Sequence, residues 1–79
     1  MNEDDVIAEL RQFLHQNDRA DIVGEDQPLD LDSFLTLLVI TYAKEEMGVT
    51  LDTSTLDFEA FSTLRTLADL IVQTGRNPQ

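Results

Sequence analysis

Residues 29–34, Leu-Asp-Leu-Asp-Ser-Phe, lead from an acidic loop directly into an apolar run that closes with residues 45–49, Glu-Glu-Met-Gly-Val. Asp32 before the run and Gly48 after it are typical start and stop residues, since glycine readily takes the left-handed conformation that ends a helix. We therefore expect a helix over residues 32–47. It places the Ser33 hydroxyl at its N-terminus, where unpaired backbone N–H groups favour an attached anion such as a phosphate.

Apolar residues recur at helical spacing on both sides of this segment. Residues 3–16 predict a first helix with acids in its first turn, where the helix dipole favours negative charge. Its apolar positions are Val6, Ile7, Leu10, Phe13 and Leu14. Residues 56–61 predict a short third helix. A fourth is expected over residues 63–73, with Ser62 or Thr63 as its N-cap. Its expected buried stripe is Leu64, Leu67, Ala68, Leu70 and Ile71.

This order of elements predicts an all-α fold. The 79 residues allow one domain with a small core, and no segment alternates in the way of a strand. We expect a four-helix bundle in which the second and fourth helices supply most of the core. The long first loop, residues 17–32, holds six acids, and loops of this length are usually functional or mobile. A flexible tail is expected over residues 75–79.

The composition argues against several classes of function. Sixteen acids against five bases give a formal net charge of −11, so we expect partners with basic surfaces and no nucleic-acid ligand. Because the chain has no cysteine, disulfides, thiolate zinc sites and a cysteine nucleophile are excluded. The N-terminus is acidic, unlike a secretory signal, and no apolar run approaches a membrane span. We expect a soluble cytoplasmic monomer without membrane insertion, too small to build a deep catalytic cleft.

Two other candidate sites are weaker than Ser33. The one histidine, His15, lies beside apolar residues near a helix end, where a solvated surface role explains it better than a hydrolase triad. An EF-hand calcium loop counted from Asp30 needs glycine at its sixth place and glutamate at its twelfth. Those places hold Leu35 and Thr41. We therefore expect no specific metal site, and either solvation or weak divalent binding explains the acidic loop.

A rotation of 100° per residue gives the second helix two apolar faces. The predicted core face holds Thr36, Val39, Ile40, Ala43 and Met47. Leu35, Leu38 and Tyr42 share the opposite face. Since exposed apolar clusters on small domains often mark interaction surfaces, these three residues form a hypothetical partner-docking patch. The alternative is that the first loop or a neighbouring helix covers them.

The order of elements resembles that of acyl and peptidyl carrier proteins, over residues 3–73. In that family, the serine of an Asp-Ser-Leu motif at the start of the second helix is esterified by 4′-phosphopantetheine. Residues 32–34, Asp-Ser-Phe, are similar to that motif. Residues 45–49 resemble the family's acidic end of the second helix, which is followed by glycine. Residues 61–64, Phe-Ser-Thr-Leu, look like the start of its fourth helix.

The resemblance implies that Ser33 carries a 4′-phosphopantetheine arm taken from coenzyme A. A phosphopantetheinyl transferase would attach the arm, an acyl- or aminoacyl-loading enzyme would charge it, and a downstream synthase or transferase would unload it. The protein would then be a carrier with no catalytic residue of its own. Asp32 would either help the transferase to orient its metal or simply cap the helix. Phe34 would contact the arm or the transferase, or cover the end of the core.

Two residues depart from the family pattern. The usual glycine two residues before the aspartate is Asp30, so the turn into the second helix lacks glycine's freedom. Phe34 replaces the commoner leucine, a variant that resembles stand-alone carriers. The resemblance therefore implies a discrete carrier of a biosynthetic pathway, such as polyketide or nonribosomal peptide antibiotic biosynthesis. A D-alanyl carrier for cell-envelope modification and an acidic helical adaptor without a cofactor are the alternatives.

Overall fold

Three α-helices and one 3₁₀ helix make up the regular structure of the described residues, 2–52 and 58–76, in the computed structural model. The α-helices are α1 (Glu3–Gln16), α2 (Ser33–Glu46) and α3 (Leu64–Arg76), and the 3₁₀ helix is Phe58–Phe61. No strand occurs in these residues, and the predicted all-α class is confirmed. The Cα radius of gyration, 11.3 Å, is close to the roughly 12 Å of a packed domain of this length, so the helices form a compact bundle.

The predicted third helix is only a single 3₁₀ turn in the described residues. It covers Phe58–Phe61, whereas the expected start at residue 56 lies outside them, in the segment 53–57. The described residues therefore contain three α-helices and this 3₁₀ turn, and the predicted count of four helices is not confirmed. At the C-terminal end of this turn, Ser62 donates both its N–H and its hydroxyl to the Glu59 carbonyl, at 3.1 and 2.7 Å.

The ends of α1 are closed by side-chain and backbone caps. Asn2 accepts the Asp5 N–H at 2.8 Å and so satisfies one of the unpaired donors of the first turn. At the other end, the Arg19 N–H donates to the Leu14 carbonyl at 2.9 Å, and Asp18 adopts a positive φ of 65°. This is the Schellman arrangement, with aspartate at the left-handed position that glycine usually takes.

Thr63 is the N-cap of α3. Its hydroxyl accepts the Thr66 N–H at 3.1 Å, and the Thr66 hydroxyl accepts the Thr63 N–H at 3.2 Å. These reciprocal bonds form a capping box in which threonine replaces the usual glutamate. The helix runs on to Arg76, so the expected tail does not begin at Gly75. Gly75 instead lets Val49 approach closely, since an added Cβ would lie 3.3 Å from a Val49 methyl group.

The core is built mainly by α1 and α3, which corrects the expectation that the second helix is a principal contributor. The buried residues of α1 are Val6, Ile7, Leu10 and Leu14. Those of α3 are Leu64, Leu67, Ala68, Ile71 and Val72. Only Val39 and Ala43 of α2 are fully buried. Apolar residues surround α2, so much of its apolar surface is left outside the core.

The long first loop is part of this core. Ile22 and Leu29 are fully buried within it. The Leu29 N–H donates to the Ser62 carbonyl at 2.8 Å, and the Arg65 N–H donates to the Glu25 carbonyl at 3.0 Å. The loop is therefore fixed to Ser62, which follows the 3₁₀ helix, and to the first turn of α3, and these contacts position the entry to α2.

Candidate functional site

The N-terminus of α2 is shaped by Asp32, which is its N-cap. The Asp32 carboxylate accepts the Leu35 N–H at 2.8 Å. The Asp32 carbonyl accepts the Thr36 N–H at 2.9 Å and the Thr36 hydroxyl at 2.8 Å. Asp32 thus does what its residue type predicts, and Ser33 becomes the first residue of the helix.

The Ser33 side chain is exposed at this position. Its hydroxyl has no hydrogen-bond partner among the residues that the structure describes, whereas the exposed Ser62 hydroxyl is engaged with the Glu59 carbonyl. The N–H groups of Ser33 and Phe34 belong to the first turn and have no intrahelical acceptor. Ser33 therefore offers a reachable oxygen at the end of the helix that favours negative charge.

The chain enters the site through a strained residue, Asp30, whose φ is +50°. This is the place at which the carrier-protein pattern has glycine. Aspartate is one of the few other residues that visit this left-handed region. Arg19 lies in the first loop and links two parts of it. Its guanidinium donates to the Leu29 carbonyl at 2.7 Å and to the Asp21 carboxylate at 3.0 Å. The turn into α2 is thus made without glycine, in a loop that the hydrogen bonds of Arg19 hold together.

A cavity of about 330 Å³ lies beside the start of α2. Residues from the first loop, from α2 and from the 3₁₀ helix and its end meet around it. Its lining includes Asp30, Leu31, Thr36, Phe58, Phe61 and Ser62. Thr36 lies one helical turn after Ser33, so one residue of the cavity lining is a single turn of α2 away from the exposed hydroxyl. The cavity could not be predicted from the sequence, because the first loop has no periodicity that would indicate its contact with the 3₁₀ helix.

Tyr42, one of the three predicted docking residues, is turned toward α1. Its ring stacks on that of Phe13, with a centroid distance of 4.4 Å and an interplanar angle of 22°. Burial raises the pKa of the Tyr42 phenol, and the carboxylates of Glu9 and Glu46 raise it further. α1 therefore covers much of the Tyr42 side chain. This agrees with the alternative that a neighbouring helix covers the predicted docking residues. Leu35 and Leu38 are half-buried.

The most exposed apolar side chains of α2 are Phe34 and Leu37, at 62% and 60% exposure. Leu38 lies beside them, since positions three and four apart share a helix face. We call Phe34, Leu37 and Leu38 the α2 apolar surface. Leu37 was missed by the sequence analysis because every face of α2 carries apolar residues. The periodicity of α2 therefore gave no signal that would distinguish Leu37 from the other apolar residues of the helix.

His15 and the acidic residues form no catalytic or metal cluster in the described residues. The His15 Nε2 lies 2.6 Å from the Ile22 carbonyl and so helps to hold the first loop against α1. No group of three or more histidine or acidic side chains in residues 2–52 and 58–76 is placed to hold a metal ion. In the same ranges, no helix has the length and apolar character needed to cross a membrane.

Comparisons with known proteins do not assign the chain to a family. No protein-family model matches it, and a search of curated proteins finds no match.

Proposed function

We propose that this protein is a discrete acyl carrier protein that bears a 4′-phosphopantetheine arm on Ser33. The observation that carries the proposal is the exposed, unengaged Ser33 hydroxyl at the first residue of α2. The cavity, whose lining includes a residue one turn of α2 away, gives the proposal a second support. Asp32 fits a positioning role, since its capping bond fixes the turn that presents Ser33.

In this function the protein is not an enzyme. During modification, the Ser33 oxygen attacks the phosphorus atom of coenzyme A that bears the pantetheine. A new P–O bond forms, the pyrophosphate bond breaks, adenosine 3′,5′-bisphosphate leaves, and the serine proton passes to the transferase. Activation comes from the transferase, so no general base is required next to Ser33. Once attached, the arm supplies a thiol that holds an acyl or aminoacyl unit as a thioester.

The α2 apolar surface fits the partner enzymes of such a carrier. It lies next to Ser33, and a partner that acts on the arm must reach this end of α2. The formal net charge of −11 favours partners with basic rims around an apolar contact.

We revise the docking patch predicted from the sequence. Leu38 is kept, and Phe34 and Leu37 are added. Leu35, which is half-buried as Leu38 is, is left out because it lies on the side of α2 that carries Tyr42, away from Leu37. Tyr42 belongs mainly to the contact between α1 and α2.

We place the carrier in a cytoplasmic biosynthetic pathway of the polyketide or nonribosomal peptide type. A D-alanyl carrier for cell-envelope modification is the nearest alternative, and it would use the same serine. An acidic adaptor without a cofactor is the alternative from another class, and the exposed Phe34 and Leu37 suit it as well. Modification of Ser33 separates the two carriers from the adaptor.

The test is the intact mass of the folded protein after incubation with coenzyme A and a promiscuous phosphopantetheinyl transferase. We expect a gain that matches one arm. Ser33→Ala should abolish the gain, whereas Ser62→Ala, at the other exposed serine of the described residues, should leave it unchanged. A folded wild-type protein that gains no mass contradicts the carrier function and supports the adaptor.

A further inference from the structure

We propose that the cavity beside Ser33 receives an aminoacyl group, whose ammonium pairs with the carboxylate of Asp30. The inference rests on the proposed function, since the arm on Ser33 would deliver the group. It goes further in naming the cargo class, because the carrier function alone is equally compatible with simple acyl, dicarboxylic acyl and aminoacyl units.

The size of the cavity favours a small unit. Its volume of about 330 Å³ is at the lower end of the roughly 300–1,000 Å³ that is usual for small-molecule sites. Leu29, Val39 and Leu64 of the core are fully buried, and protein interiors are in general close-packed. A long acyl chain would exceed the volume of this cavity and would have to displace core side chains.

The polar side chains among the described lining residues have acceptor capacity to spare and no free donor. The Thr36 hydroxyl donates its hydrogen to the Asp32 carbonyl at 2.8 Å, and the Ser62 hydroxyl donates its hydrogen to the Glu59 carbonyl at 2.7 Å. The carboxylate of Asp30 is an acceptor when ionised. A ligand that satisfies these oxygens must bring hydrogen-bond donors, and an ammonium group brings three.

The charge of the cavity lining also favours an aminoacyl cargo. Among the described residues that line this cavity, Asp30 has the one ionisable side chain. The nearby Arg19 guanidinium donates to the Asp21 carboxylate, to the Leu29 carbonyl and, at 3.5 Å, to the Asp30 carbonyl. It attracts the Asp30 carboxylate but makes no hydrogen bond to it. With a formal net charge of −11 on the chain, a cationic group is attracted to the cavity. A cargo that carries a second carboxylate would be repelled by Asp30.

The backbone at Asp30 allows a clean test of the side chain. Its φ of +50° suits glycine best and is tolerated by asparagine as well as by aspartate. Asp30→Asn and Asp30→Gly therefore remove the carboxylate while the turn is kept. Asp4→Asn, at an exposed position on α1, removes one negative charge away from the cavity and is the matched control.

The experiment loads Ser33 with two stable arms, one ending in an alanyl amide and the other in a propionyl amide, which has the same shape without the ammonium. Backbone amide chemical shifts of Asp30, Thr36 and Ser62 are then compared by NMR. We expect the alanyl arm to shift these signals relative to the propionyl arm. The difference should vanish in Asp30→Asn and in Asp30→Gly and persist in Asp4→Asn.

Equal shifts from the two arms, or a difference that persists in both Asp30 variants, would overturn the aminoacyl inference and leave the carrier function standing. Failure of the transferase to load either arm on the folded protein would overturn both. The two failures are distinguished by the intact mass of the sample, which is recorded before the NMR measurement.

Discussion

Single residues at the helix ends set the geometry of the site. Asp32 and Gly48 follow simple rules: the first caps α2, and the second closes it with a φ of +69°, as the sequence predicted. Asp18 and Asp30 depart from those rules, because both are non-glycine residues with positive φ. The sequence showed that Asp30 stands where the carrier-protein pattern has glycine. It could not show the conformation, since aspartate also occurs in ordinary turns.

Asp18→Gly should stabilise the protein. Glycine relieves the left-handed strain and removes a negative charge from the C-terminal end of α1, and these gains outweigh the greater freedom of the unfolded chain. We expect the free energy of unfolding to rise by about 0.5 kcal/mol, measured by urea denaturation. Asp18→Asn, which removes only the charge, should give a smaller gain. A loss of stability in Asp18→Gly would show that the aspartate side chain makes a stabilising contact.

At the scale of elements, the strongly amphipathic helices were predicted best. The apolar stripes of α1 and α3 gave most of the buried residues, because the apolar residues concentrate on one face of each helix. Phe13 and Leu70 are only partly buried, and the buried Val72 was not predicted. α2 was predicted less well. Its apolar residues run around the whole helix, so the orientation depends on the Phe13–Tyr42 stack and on the first loop. Neither contact can be derived from the periodicity of α2 alone.

Leu37→Glu should slow the modification of Ser33 and leave the fold intact. Leu37 is 60% exposed, so the substitution costs little packing, but it places a charge within the α2 apolar surface. We expect kcat/KM of the phosphopantetheinyl transferase to fall by about tenfold, which corresponds to roughly 1.4 kcal/mol. Val23→Glu, at a 64% exposed residue of the first loop, is the control and should keep the wild-type rate. Equal rates in wild type and Leu37→Glu would remove Leu37 from the docking surface.

Arg65 joins the first loop to α3, and its contribution should depend on pH. Its guanidinium contacts Asp26 at 2.8 Å and Glu25 at 3.0 Å. The bond from Arg65 holds the pKa of Asp26 below the ordinary value of 3.8. A carboxyl whose pKa is lowered in the folded state stabilises the fold above its unfolded pKa. That contribution is lost as the pH falls through the lowered folded value.

Arg65→Gln should therefore lower the urea midpoint at pH 7 by more than the control Lys44→Gln, which also removes an exposed positive charge. At a pH low enough to protonate Asp26, the two variants should show equal changes in urea midpoint relative to wild type. The measurement is urea denaturation at several pH values. A gap between the variants that is unchanged in acid would mean that Arg65 stabilises the loop by packing of its side chain and not by its charge.

For the whole molecule, net charge is the dominant feature, and the sequence alone establishes it. The described residues extend over 34 × 25 × 21 Å. At about 0.01 M salt the Debye length is roughly 30 Å, so like charges repel across the entire protein, whereas at about 1 M salt it is roughly 3 Å. With sixteen acids and five bases, this repulsion exceeds the attraction within the few exposed ion pairs.

Added salt or divalent cations should accordingly raise the melting temperature. Calorimetry or circular dichroism at low and high salt measures the effect. Glu45→Gln, which neutralises one exposed acid near the C-terminal end of α2, should raise the melting temperature at low salt and have less effect at high salt. A melting temperature that responds neither to salt nor to this substitution would show that the repulsion is relieved within the fold.

The most direct test of the central claim is a fragmentation mass spectrum of the folded protein after treatment with coenzyme A and a phosphopantetheinyl transferase. The account predicts a single arm, linked through a phosphodiester and localised to Ser33 by the fragment ions that bracket it. An arm localised to any other residue, or an unmodified protein under conditions that modify a known carrier completely, would contradict it.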